Sequence, residues 1–339
     1  MPAPHCKALI ELSSMGALRI LLRRVAFVAS HTRRGTSYNP RKYLSPMKRA
    51  GIVTVAGKPN AGKSTMLNRL VGQKLSITSE KPQSTRDRIV GIRTTDDTQM
   101  VLLDTPGLLE PRYELQRVMR STALNALADA DVVVYVADAT LGPPPSLEEA
   151  ASIPRAKGRH VITVLNKIDR LSADERRAVV AQAPDAIPFS ALTGEGADIL
   201  LAAIAERLPE SPFLYPEDDV STQTLRFFAA ELIRETALEQ LNEEVPYSVA
   251  CEVEEFREDR SPVYIRATIY VERDSQKRIL IGEKGSRIRD IGRAARAKIE
   301  RLVGGAVYLD LWVKVLANWR RDARALERFG YRMPQEPAS

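Results

Sequence analysis

The sequence predicts an α/β chain in two parts: a mostly parallel, doubly wound sheet, then a smaller α+β domain. Three observations carry this. From Ile52 onward, short apolar runs alternate with helical segments, the pattern of parallel strands covered on both faces. A glycine-rich turn at 57–64 lies between the first run and the first helix. Beyond a proline-punctuated stretch the order changes to helix–strand–strand–helix–turn–helix–strand.

Ile52–Ala56 reads as the first buried strand, with a helix from Lys63 to Val71 after the turn. Met100–Leu103 is a second strand ending at Asp104, Val132–Ala137 a third, Val161–Leu165 a fourth and Ile187–Phe189 a short fifth. Helices at Glu114–Ala128 and Ala197–Leu208 separate them. Ligands of such sheets bind at the carboxyl ends of the strands. Pro209, Pro212 and Pro216, with Asp218 and Asp219, mark a linker. A helix at Thr222–Leu241 follows, then strands at Ser248–Phe256 and Val263–Val271, two helices split at Gly282–Gly285, and a strand at Ala306–Lys314. The expected organisation is an extension at 1–46, a first domain at 47–209, a linker at 210–221, a second domain at 222–332 and a tail at 333–339.

Charge and composition narrow the partners. The formal charge is +7, which favours a polyanion, either nucleic acid or an acidic membrane surface. Cys6 and Cys251, and His5, His31 and His160, are scattered, in no metal-ligand spacing. No apolar run reaches the roughly 18 residues needed to span a bilayer; Leu18–Val28 is broken by Arg23 and Arg24. Residues 1–46 hold one acid, Glu11, among many basic residues, with leucines and valines at helical spacing. That is the pattern of an organellar transit peptide or a membrane-surface helix. The simpler expectation is a start assigned too far upstream, with Met47 as first residue and the extension untranslated or disordered.

The turn at Gly57, Lys58, Pro59, Asn60, Ala61, Gly62, Lys63 and Ser64 matches the phosphate-loop pattern GxxxxGK(S/T), in the required strand–loop–helix context. Backbone N–H groups there and on to Thr65 turn toward phosphate oxygens, aided by the N-terminus of the helix that begins at Lys63. Lys63 is expected to bridge the β- and γ-phosphates and the Ser64 hydroxyl to ligate Mg2+. Asp104-Thr105-Pro106-Gly107 ends the second strand, placing a carboxylate for Mg2+ and the Gly107 N–H for the γ-phosphate.

Asn166-Lys167-Ile168-Asp169 ends the fourth strand. The Asp169 carboxylate only accepts hydrogen bonds, so it pairs with the N1–H and 2-amino group of guanine. Adenine lacks both donors and leaves it unpaired. Asn166 is expected to tie the base edge to the loop and Lys167 to lie along the ring. Ser190-Ala191-Leu192 is expected to offer the Ala191 N–H to guanine O6. The segment Ser76–Thr95 is expected to be a mobile switch whose Thr85 hydroxyl completes the Mg2+ shell. Lys63, Thr85 and Gly107 are thus the expected catalytic residues. Where many GTPases carry a glutamine that orients water, this chain has Leu108. Phosphate positioning, Mg2+ and a monovalent cation, K+ held by Asn60, are the expected substitutes, with slow turnover.

In the second part, Ile281, Gly282, Glu283, Lys284, Gly285 and Arg287 form a GxxG turn between helices. Glycines let the sugar-phosphate backbone approach closely, as in the KH clamp on single-stranded nucleic acid. The flanks are aliphatic and the stretch from Arg273 to Arg301 is rich in arginine and lysine.

From Lys48 to Tyr331 the chain resembles the Era family of ribosome-assembly GTPases. The resemblance lies in GKPNAGKST, SITSEKPQSTRDRIVGI, LLDTPGL, NKID, LYPEDDVST, GEKG and IGRAARAKIE, in that order. It implies a P-loop GTPase domain followed by a type II KH domain. It further implies binding to the 3′ end of small-subunit ribosomal RNA, a role in maturing the small ribosomal subunit, and a monomeric, cytoplasmic protein associated peripherally with the inner membrane. Leu108 fits the family, which carries a hydrophobic residue there; Ser84 stands where the family more often has threonine. Two other readings stay open: an RNA-binding module with a vestigial nucleotide site, and a GTPase serving another client. Intact Lys63, Ser64, Asp104 and Asp169 weigh against the first, and the GxxG domain against the second.

Overall fold

The computed structural model describes residues 48–79, 81–153, 160–241 and 245–333. The expected extension at 1–46 and nearly all of the tail lie outside them. Strand β1 (Arg49–Ala56) leads into the phosphate loop and helix α1 (Lys63–Val71). Then follow β2 (Ile89–Thr94), β3 (Thr98–Asp104), α2 (Glu114–Ala128), β4 (Val132–Asp138), α3 (Leu147–Ala151), β5 (His160–Asn166), α4 (Ala173–Gln182), β6 (Ile187–Pro188) and α5 (Ala197–Arg207). The six strands lie in the order β2-β3-β1-β4-β5-β6. All neighbouring pairs are parallel except β2 with β3.

The sheet is built as its sequence dictates. Val53, Val55, Val132, Val134, Val136 and Val164 are fully buried, as expected for strands covered on both faces. Helix α1 begins after Gly62 in a left-handed conformation with no side-chain cap, so its first N–H groups are left for a ligand. It ends at Gly72, whose N–H donates to Asn68 O at 3.0 Å.

The segment Ser76–Thr95, expected to be a mobile switch, holds in its second half the edge strand β2, paired antiparallel with β3 from Ile89↔Asp104 to Thr94↔Gln99. Gly91 interrupts its apolar run. A Cβ there would sit 2.6 Å from Val71 Cγ2, so the glycine lets α1 pack directly on the strand.

The second part begins with α6 (Leu225–Gln240) and α7 (Val245–Ser248), followed by β7 (Ala250–Arg257), β8 (Val263–Val271), α8 (Asp274–Ile281), α9 (Ser286–Val303), β9 (Val307–Val315) and α10 (Ala323–Arg328). Its sheet runs β7-β8-β9, antiparallel then parallel. Ile291, Ala295 and Ile299 of α9 recur every four residues and are fully buried against this sheet. The two parts share an apolar seam: Leu115, Val118 and Met119 of α2 pack with Ala250, Tyr270, Trp319 and Leu326. Trp319 Nε1 donates to Ser248 O at 2.8 Å.

Candidate functional site

A cleft of about 540 Å3 opens at the carboxyl ends of the strands. Its walls are the phosphate loop, the segment before β2, Gly107 and the NKxD loop. Asn60, Gly62, Lys63, Ser64, Thr65, Thr85, Gly107 and Lys167 line it. The glycines are required by close approach. A Cβ on Gly57 would lie 2.2 Å from Val136 O, on Gly62 2.2 Å from Asn166 Nδ2, and on Gly107 2.7 Å from Pro59 N. The Leu108 N–H donates to Gly57 O at 3.0 Å, locking the DxPG turn onto the phosphate loop.

The three expected metal ligands come together. Ser64 Oγ donates to Asp104 Oδ2 at 2.7 Å and lies 2.9 Å from Thr85 Oγ1, which is 3.3 Å from the same carboxylate oxygen. Asp104 is fully buried, and among the described residues its Oδ1 has no hydrogen-bond partner. Burial raises its pKa above the usual carboxylate range, against the opposing charge of Lys63 and the Ser64 hydrogen bond. An orphaned carboxylate oxygen beside two hydroxyls is a donor set for a hard divalent cation such as Mg2+. Lys63 is buried too, its Nζ donating to Lys58 O at 3.1 Å. Burial lowers its pKa, partly offset by Asp104. Both ions therefore gain from a bound phosphate and metal.

The guanine side is similarly built. Asn166 Nδ2 donates to Ala61 O at 2.7 Å, and the Ala191 N–H donates to Asn166 Oδ1 at 2.9 Å. Asn166 thus ties the phosphate loop to the Ser190–Leu192 loop. The Ala191 N–H expected for guanine O6 is engaged here, so it reaches a base only by leaving or sharing Asn166. Ser190 Oγ donates to Asp169 Oδ1 at 2.5 Å, orienting an exposed carboxylate. Leu192 is exposed, and its carbonyl and that of Ala191 accept from Arg69. Lys167 sits at positive φ, its Nζ on Asp138 Oδ2 at 2.6 Å. Asp138 was not anticipated, although it ends β4 beside Asn166 in the register, the layer in which Asp104 and Asp169 were found.

Leu108 is buried among Ala56, Ala123 and Leu127, turned into the core and away from the cleft.

The GxxG residues form a separate site. Gly282, Lys284 and Gly285 all have positive φ. A Cβ on Gly282 would meet Arg287 Cβ at 2.8 Å. Arg287 Nη1 caps Ile279 O at 3.2 Å, and Arg289 Nη1 donates to Lys284 O at 2.8 Å. Glu283, Lys284 and Arg287 are exposed, Ile281 half-buried. Beside the turn a groove of about 370 Å3 runs between α9 and the edge strand β9, lined by Ile288, Arg289, Gly292, Arg293, Arg296, Tyr308, Leu309 and Leu311. Gly292, Tyr308 and Leu311 were not anticipated, because strand and helix are joined only by the fold.

Residues 52–167 match the model of the 50S ribosome-binding GTPase family, and residues 244–320 that of the KH domain. GTPase Era of Ectopseudomonas mendocina is 44% identical over 299 residues, covering 85% of this chain and 98% of the relative. That of Geobacter metallireducens is 41% identical over 291 residues, covering 84% and 98%. Two solved structures, each 38% identical and covering 84% of this chain and 99% of their own, superpose well. One, with TM-score 0.78, is a variant of Aquifex aeolicus Era bound to GDP·AlF4−. The other, with TM-score 0.80, is Era in complex with MgGDPNP and nucleotides 1506–1542 of 16S ribosomal RNA. The chain belongs to the Era family of GTPases.

Proposed function

We propose that this GTPase couples nucleotide turnover to binding of single-stranded small-subunit ribosomal RNA near its 3′ end, in maturation of the small ribosomal subunit. The observation that carries the catalytic half is the meeting of Ser64, Thr85 and Asp104 beside buried Lys63. The phosphate-loop amides and Lys63 hold the β- and γ-phosphates, and Gly107 N–H meets the γ-phosphate. Ser64, Thr85 and Asp104 would hold Mg2+, which would supply charge neutralisation for the phosphates. Asp169 reads guanine, Asn166 and Ser190 keep its loop in place, and Ala191 shares its N–H with the base. With Leu108 in the core, catalysis rests on positioning and electrostatics. Asn60 would offer an oxygen to a K+ ion, which would add positive charge beside the phosphates; equal GTPase rates in K+ and Na+ remove that ion from the scheme.

For the RNA half, the support is the GxxG turn with its adjoining basic groove and the relative captured with 16S ribosomal RNA. Gly282 and Gly285 admit the backbone, Ile281 lies against a base, and Glu283, Lys284 and Arg287 meet the strand from outside. Binding of the full chain to a small-subunit 3′-end oligonucleotide, compared with a scrambled oligonucleotide, tests it; equal affinity refutes the assignment. The protein is cytoplasmic and monomeric and touches the inner membrane peripherally. Among the described residues no helix is long and apolar enough to cross a bilayer. Co-sedimentation with anionic vesicles tests the peripheral contact.

A further inference from the structure

Thr85 must stay at the metal side of the cleft, yet the described residues between α1 and β2 form no helix or strand that would hold it there. Its chain neighbours are held by the KH domain. On one side, Ser84 O accepts from Arg234 Nη2 at 2.6 Å. On the other, the buried Arg86 side chain donates to Val249 O at 2.6 Å and Tyr247 O at 3.0 Å, its guanidinium 5.5 Å from the Trp319 ring centroid. Further upstream the Thr78 N–H donates to Glu235 Oε1 at 2.9 Å.

Arg234 and Glu235 are consecutive residues of α6, 3% and 0% exposed. Isolated buried ions are costly, so their partners are informative. Glu231 orients the Arg234 guanidinium by two hydrogen bonds of 2.8 and 2.5 Å. That leaves one edge aimed at Ser84 O. Glu235 collects three donors: Thr78 N, Lys74 Nζ at 2.9 Å, and Lys298 Nζ at 3.0 Å. The first two belong to the GTPase domain. The third lies on α9, the helix that leaves the GxxG turn and lines the basic groove.

We infer that Arg234 and Glu235 are positioning residues for GTP hydrolysis, through which the KH domain holds Thr85 where it completes the metal shell. This rests on the reading of Thr85 as a metal ligand in the triphosphate state. Two consequences follow. The KH domain discriminates triphosphate from diphosphate, because Thr85 is needed only when the γ-phosphate is present. By linkage, a ligand that shifts α9 changes triphosphate affinity, and triphosphate changes affinity for that ligand by the same factor.

The test uses the full chain with Arg234→Met and the isosteric Glu235→Gln, each checked for cooperative thermal unfolding. Affinities for GDP and for a non-hydrolysable GTP analogue are measured across a Mg2+ titration, with hydrogen exchange at 84–88 as a readout independent of activity. Loss of one charge-assisted hydrogen bond predicts about tenfold weaker analogue binding. The half-saturating Mg2+ concentration for the analogue should rise, amide exchange at 84–88 should be faster, and GDP affinity should stay within about twofold. If Arg234→Met does not fold, Glu235→Gln decides. Unchanged Mg2+ dependence and exchange in the folded variant, or equal losses for GDP and analogue, overturn the inference. A parent protein whose analogue binding ignores Mg2+ instead refutes the metal-ligand reading itself.

Discussion

The nucleotide cleft and the groove proposed for RNA are built for polyanions by opposite means. In the cleft the functional groups are buried and already engaged: Lys63, Asp104 and Asn166 are each under one-tenth exposed. Its glycines stand against fixed atoms, so a methyl group at Gly57 or Gly62 would collide at 2.2 Å. In the GxxG turn Lys284 and Arg287 are exposed, and in the groove beside it Arg289 and Arg293 are too. A Cβ on Gly285 would meet nothing nearer than the flexible end of Arg289, at 3.4 Å. The cleft is preorganised for one ligand and intolerant of change. The groove takes its affinity from mobile charge and a single tight turn, so it should degrade gradually.

The largest effect expected from this contrast is at the base. Asp169→Asn exchanges an acceptor pair for an amide, which pairs with the carbonyl of xanthine and leaves guanine donors opposite a donor. Competition binding should show selectivity moving from GTP toward xanthosine triphosphate by roughly a hundredfold or more. Persistent GTP preference would remove Asp169 from base reading. Next is Gly62→Ala. The added methyl sits on Asn166 Nδ2 at φ 96°, so it strains the loop and breaks the tie to Ala61 O. A stability loss of about 1–3 kcal/mol with at least tenfold weaker GDP binding is expected from denaturant titration and fluorescence. A folded variant of parental affinity would show the cleft to be adaptable after all.

These sites differed in how much could be read from the chain. Strands β1, β3, β4 and β5 were legible because burial on both faces writes continuous apolar runs, and the cleft motifs follow directly at their ends. β2 was not legible. Its run is six residues with Gly91 and Arg93 inside, and its status as an edge strand comes from pairing with β3. Asp138 was missed because its partner, Lys167, is 29 residues away and only the β4–β5 register brings them together. The engaged Ala191 amide was equally hidden, since Asn166 reaches it across two loops. For the groove, GxxG was visible as a motif. Its far wall, Tyr308 and Leu311 on β9, depends on a parallel strand packed beside α9.

On the groove side, Gly282→Asp tests the one tight element. Its Cβ would press on Arg287 Cβ at 2.8 Å and its φ is 73°, and a carboxylate there faces phosphate. RNA affinity should fall about tenfold, with GTP affinity unchanged, because Gly282's neighbours Arg287 and Ser286 are not among the KH residues that hold Thr78, Ser84 and Arg86. Retained RNA affinity would move the clamp elsewhere.

The smallest predicted effect is also the one most diagnostic of the groove's character. Arg293 lines the groove on the exposed side of α9, and its only ion pair among the described residues is an exposed contact with Asp290 at 3.5 Å. Such a pair contributes little to stability, so Arg293→Ala should leave unfolding within about 0.5 kcal/mol of the parent. Single-stranded RNA binding should weaken only a few-fold at moderate salt. Its salt dependence should also change: removing one phosphate contact lowers the slope of log K against log salt by about 0.7. A graded loss of slope as Arg289→Ala and Arg296→Ala are added would mark an electrostatic surface whose contacts act independently. A single substitution that weakened binding a hundredfold or more, with the slope unchanged, would mean the groove reads its ligand as rigidly as the cleft reads guanine, and the contrast between the two sites would fail.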